Sequence, residues 1–169
     1  MTPYVALLRA VNVGGTGKLS MADLRAIGEG LGLAQVRTYI ASGNLLFASD
    51  LDEATVKTLL EARLAAQMGK PVPLFIRTAA EMVAVVAADP FPDAHPSRHL
   101  VYFLGEAPPD TLIADTRDVQ DERMACGVRE LYVDYGANIR HTRLKLPKSL
   151  VATGRSINTV RKLAAMLAG

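Results

Sequence analysis

Ser42, Gly43 and Asn44 stand between two β-rich runs, residues 36–40 and 45–48, and that break leaves the local chain little choice. Gly and Asn tolerate positive φ, so a tight turn folds the second run back on the first as an antiparallel pair. A pair with one apolar face must then be covered by another layer. The flanking segments supply it. Residues 4–8 form a compact apolar run of the kind that makes a buried strand. Ser20 precedes Met21, Leu24, Ile27 and Leu31 at helical spacing, with Asp23 placed to complete a capping box. Asp52 opens a second helix with Val56, Leu59, Leu60, Leu64 and Met68 on one stripe, Gly69 at its end and Pro71 beyond. Residues 72–77 read as a further strand.

The resulting order, β-α-β-β-α-β, predicts an α+β lobe of the ferredoxin-like type, with both helices on one sheet face. A third helix starts at Thr78, whose capping-box partner is Glu81. Pro90, Pro92 and Pro96 cannot continue it. Residues 89–96 therefore read as a linker between a lobe at 1–88 and a second at 97–169. In the second half, residues 99–104 read as a strand, 109–114 as a short helix, and 119–126 with 130–135 as a hairpin turning near Gly127. A basic stretch at 138–148 leads to a last helix in which Ile157, Val160, Leu163, Ala164 and Leu167 recur at helical spacing. The expected fold is two ferredoxin-like α+β lobes, mostly antiparallel, each with helices packed on one face.

Half of the 169 residues are hydrophobic and 21% are charged, the balance of an ordered globular protein. A net charge of +2 commits the chain to no partner through a global field. The cations are nonetheless crowded: Arg140, Arg143, Lys145, Lys148, Arg155, Arg161 and Lys162 follow one another, and no Asp or Glu occurs after Asp134. Cys126 stands alone, so no internal disulfide and no cysteine-rich metal site is expected, and a reducing cytoplasm is the expected location. The N-terminus lacks the basic start and apolar core of a signal peptide, and no apolar run approaches the roughly 20 residues that span a bilayer. No membrane association is expected.

Binding chemistry gathers at three places. The first is the glycine-rich stretch from Arg9 to Asp23, where a strand gives way to a helix. Such a turn directs several free backbone N–H groups at one small region, a common way to hold phosphate. It is not a nucleotide P-loop, because that fingerprint requires glycine at 12 and a hydroxyl at 19, where this chain has Asn12 and Leu19. No cofactor is expected. The second is the Ser42 turn; a nucleophilic Ser42 needs a base, and His95, His99 and His141 fit neither a triad nor a metal-site spacing. Asp115, Asp118, Asp121 and Glu122 lie with Arg117 and Arg123 in a loop that local charge balance explains. The third place is the start of the last helix, where Ser156 is a cap and Arg155, Asn158 and Thr159 add groups that suit an anion.

Three segments together resemble the domain of unknown function 1697 family, a group of uncharacterised, mostly bacterial proteins. They are Arg9–Gly15 with Met21–Leu24, residues 36–47 with Thr38-Tyr39-Ile40 and Ser42-Gly43-Asn44, and residues 153–163. The chain departs from the family pattern at Ser156, where Asn is usual, and at Val11, where Ile is usual. The resemblance implies no activity.

The residues by themselves point to a cytoplasmic protein that binds an anionic, phosphate-bearing ligand such as a nucleotide or an RNA backbone. The candidate ligand-binding residues are Arg9, Asn12, Gly14, Gly15, Lys18, Ser42, Asn44, Arg155, Asn158 and Thr159. With no Trp, five Tyr and four Phe, stacking on bases is weakly supported. The alternatives are a small-molecule enzyme acting on a phosphorylated compound and a purely structural interaction protein.

Overall fold

A computed structural model describes residues 1–9, 19–40 and 42–169. The chain divides into two compact units, Met1–Met82 with Leu163–Gly169, and Val83–Lys162.

In the first unit, β1 (Thr2–Leu8), α1 (Met21–Gly30), β2 (Ala34–Thr38), β3 (Asn44–Ser49), α2 (Glu53–Met68) and β4 (Leu74–Thr78) follow in sequence. Their strands form one antiparallel sheet in the order β2-β3-β1-β4. The predicted hairpin pairs β2 with β3, Thr38 opposite Leu45 and Arg37 opposite Leu46, and β1 lies on the other edge of β3 with Leu7 opposite Asn44 and Thr2 opposite Ser49. Alternate residues of the sheet, among them Tyr4, Ala6, Leu8, Leu45, Phe47, Leu74 and Ile76, share a core with Leu24 and Ile27 of α1 and Val56, Leu60 and Leu64 of α2. Burial of that apolar face is the main drive for this layer.

Both helices begin as their sequences dictate. Asp23 N donates to Ser20 Oγ at 2.9 Å while Ser20 N donates to Asp23 Oδ2 at 3.3 Å, a reciprocal cap. Asp52 accepts from Thr55 N, and Gly69 closes α2 in the left-handed region at φ 71°.

In the second unit, β5 (His99–Leu104), β6 (Arg123–Cys126), β7 (Glu130–Asp134) and β8 (Ala152–Ser156) form a second antiparallel sheet in the order β6-β7-β5-β8, and the short helix α4 (Leu112–Asp115) lies between β5 and β6 in sequence. The helices α3 (Ala79–Ala87) and α5 (Ile157–Ala168) each follow the last strand of a sheet. Thr78 and Glu81 cap α3 as expected, with Glu81 N donating to Thr78 Oγ1 and Thr78 N to Glu81 Oε1.

Two sequence expectations change here. Residues 152–156 carried no assigned element, with Arg155 and Ser156 read as the start of the last helix, yet they form β8. Its buried positions are Thr153 and Arg155, both polar, so the apolar alternation that reveals a strand is inverted. The second change concerns the layer on the second sheet. Where the first unit has the long α2 between its third and fourth strands, the second has a 3-10 helix, Gly136–His141, and then extended chain. This strap covers the sheet through Ile139, Leu144, Leu146 and Leu150, which pack on a core of Leu104, Leu112, Leu131, Val133 and Tyr135. Among the described residues no helix is long and apolar enough to cross a membrane.

Candidate functional site

Arg9, the one described residue of the first glycine-rich motif, and the hairpin turn lie at the same end of the first sheet. Leu8 N donates to Gly43 O and Arg9 N to Pro73 O, each at 2.9 Å, so the end of β1 is held between the hairpin turn and the approach to β4. Asn44 is fully buried and spends both amide hydrogens within its own turn, on Tyr39 O at 2.9 Å and Ser42 Oγ at 3.0 Å. The turn needs left-handed backbone at Gly43, with φ 87°, and at Ile40, with φ 49°, where a β-branched residue is strained. Asn44 is thus the internal brace of the turn, and the Ser42 hydroxyl accepts from an amide that cannot take its proton. Asn12, Gly14, Gly15 and Lys18 lie outside the described residues.

The third segment, up to Lys162, belongs to the second unit. Arg155 directly precedes the Ser156 cap at the start of α5, as expected, but its side chain is not exposed. It lies on β8, 5% exposed, with Nη1 donating to Thr153 Oγ1 at 2.8 Å and Gly154 O at 2.9 Å. Burial draws its guanidinium down to about 10. Ser156 is the cap that was expected: Thr159 N donates to its Oγ at 3.3 Å, and the Thr159 hydroxyl lies 3.1 Å away. Asn158 is exposed in the first turn of α5.

A charged cluster in the second unit had no signal in the sequence, because its members are scattered. His99 is buried with Nδ1 3.2 Å from Val133 O and Nε2 2.6 Å from Asp89 Oδ1. A carbonyl only accepts, so Nδ1 carries a hydrogen, and Nε2 is occupied by the carboxylate. Both ring nitrogens are committed, which makes His99 a brace and removes it as a general base. Asp89 Oδ2 is buried with no hydrogen bond, and Arg161 Nη2 offers it an ionic contact at 3.9 Å. Beside this pair, Arg123 donates through Nε and Nη2 to Asp134 Oδ2 at 2.9 and 2.7 Å, reaches both Asp93 oxygens at 3.2 Å, and lies 4.6 Å from the Phe91 ring centre. Burial raises the Asp134 carboxyl, but the hydrogen bonds from Arg123 and Gly136 outweigh it and hold the group below its ordinary value. Residues 89–96, expected as a linker, are pinned to the second unit through Asp89, Phe91 and Asp93.

The strap and its neighbours present the opposite character. Arg117, Lys145 and Lys148, with Asp115, line a groove of about 770 Å³, and Arg98, Arg140 and His141 line another of about 450 Å³. None of these arginines and lysines, nor Arg143, makes an ion pair among the described residues. Cations used to brace the fold and cations left facing solvent are therefore separate sets. No three His, Cys, Asp or Glu side chains among the described residues are grouped to hold a metal ion.

Residues 1–132 match the family described as a protein of unknown function, DUF1697. The chain belongs to the DUF1697 family. Its fold is similar to that of a solved structure, the conserved bacterial protein SP0830 from Streptococcus pneumoniae, with 26% identity, a TM-score of 0.80 and 98% of each chain covered. No curated protein matches the chain. The DUF1697 match takes in the β1 end, the hairpin turn and the Asp89–His99 brace, and it stops before the strap.

Proposed function

We propose that this DUF1697 protein is a cytoplasmic binding protein for a phosphate-bearing ligand. The observation that carries the reading is the set of ionically unpaired cations that line two grooves of the second unit, the half-buried Arg98 and the exposed Arg117, Arg140, Lys145 and Lys148, with Arg143 exposed on the strap two positions before Lys145. Cations gathered at a groove and outnumbering its one carboxylate, with no ion pair of their own, favour an external anion. On sequence grounds the glycine-rich loop, with Asn12, Gly14, Gly15 and Lys18, is a second point of contact in the first unit. Binding is preferred to catalysis because the buried Asp–His pair has both imidazole nitrogens engaged, leaving no poised acid or base there.

Thermal unfolding tests this. Nucleotides, sugar phosphates and short RNAs are expected to raise the melting temperature, less so in Lys145→Ala, Arg117→Ala and Lys18→Ala, and less at high salt. No shift with any phosphate compound, or equal shifts in every variant, would overturn the reading.

A further inference from the structure

The strap has a regular two-sided pattern. From Thr142 to Leu146 the chain runs outside helix and turn, with Arg143 and Lys145 exposed and Leu144 and Leu146 packed on the core. Alternation of this kind sets successive outward side chains about 7 Å apart along an extended backbone. Lys145 is fixed in place by a β-bridge to Arg117, in which each N–H donates to the other's carbonyl at 2.9 Å. Two cations are thereby set directly opposite one another, a pairing that costs stability within a sheet. Nothing in the described structure offsets it with an ion pair; Asp115 lines the same groove without forming one. A local rule broken without internal compensation points to a functional demand.

Resting on the phosphate-binding reading above, we infer that the ligand is a single-stranded nucleic acid, held by its backbone along the row Arg143, Lys145, Arg117 and Lys148. A mononucleotide concentrates its charge, and a site for it draws cations to one point. Here they are spread along a strap, which suits a chain that repeats its phosphates. A duplex is entered by a helix or ribbon placed in a groove about 12 Å wide; this surface is instead a concave groove of about 770 Å³ into which a backbone is laid. No aromatic residue lines it, so base stacking is absent and recognition is independent of sequence.

Fluorescence anisotropy with a labelled 12-nucleotide oligouridylate, competed by UMP and by oligouridylates of three and six nucleotides, tests this on the full chain. Affinity is expected to climb with length. The slope of log affinity against log salt is expected to become shallower by about 0.7 for each phosphate left without its cation in Arg143→Ala, Lys145→Ala or Lys148→Ala. Arg25→Ala, which removes a cation of the first unit paired with Glu29, serves as the control and is expected to leave both readings unchanged. These surface variants are to be compared at matched melting temperature. If UMP competes as well as the 12-mer, or a duplex binds more tightly than the single strand, the inference fails and the phosphate reading stands. If the oligomers bind but the strap variants match wild type, the inference also fails. If no phosphate compound binds at all, both fail.

Discussion

Gly154 pairs with Tyr102 across β8 and β5, and the aromatic ring lies over it so closely that an added Cβ would sit 2.9 Å from Tyr102 Cε1. The ring has little room to yield, because its hydroxyl is 2.6 Å from that of Tyr135. Burial pushes both phenols above their ordinary value, so the pair stays neutral across the working range of pH. Gly154→Ala is expected to cost about 1–3 kcal/mol by overpacking, read from urea unfolding, and Tyr102→Leu in the same chain should recover part of it. A different dependence belongs to Asp134. Its folded value lies below the unfolded value of 3.8, so its contribution is complete above that pH and is lost as the pH falls through the folded value. Arg123 keeps its charge throughout, its guanidinium raised by the hydrogen bonds to Asp134 and Asp93. Unfolding followed from pH 6 down to pH 2 should show a steeper acid loss in the wild type than in Asp134→Asn.

Elements were legible where a residue's chemistry is local. Gly43 and Asn44 announce a turn, Ser20 and Asp23 a cap, and Asp52 and Gly69 the two ends of a helix, each through partners within a few positions. β8 was not legible, because it is held by pairing with β5 and buries Thr153 and Arg155, which no local pattern marks as interior. The proline segment misled for the same reason. Its prolines do end α3, but Asp89 meets His99 and Asp93 meets Arg123 only once the second sheet has formed. Of the proposed site, the basic composition of 138–148 could be read directly, whereas the opposition of Arg117 to Lys145 could not, since 28 positions separate them. Because those contacts pin the segment, thermolysin is expected to leave residues 89–96 intact in the native protein and to cut near Phe91 in His99→Ala. Equal cutting of both proteins would show that the brace does not hold the segment.

At the scale of the whole molecule, two sheets share one strand order, β2-β3-β1-β4 and β6-β7-β5-β8, and each is followed by a helix after its last strand. The copies diverge between the third and fourth strands, a long helix in one and the cationic strap in the other. The division between the units does not follow the order of synthesis. Leu163–Gly169 belongs to the first unit, where Leu163, Ala164 and Leu167 are buried and the carbonyl of Met166 accepts from Arg37 Nη2 at 2.9 Å. A ribosome making this chain delivers the strands of the first sheet early and the residues that complete its unit only after the whole of the second unit. During translation the early half must wait, its apolar surface unfinished, until residues 163–169 have cleared the exit tunnel, and a chain stalled before them would offer that surface to chaperones.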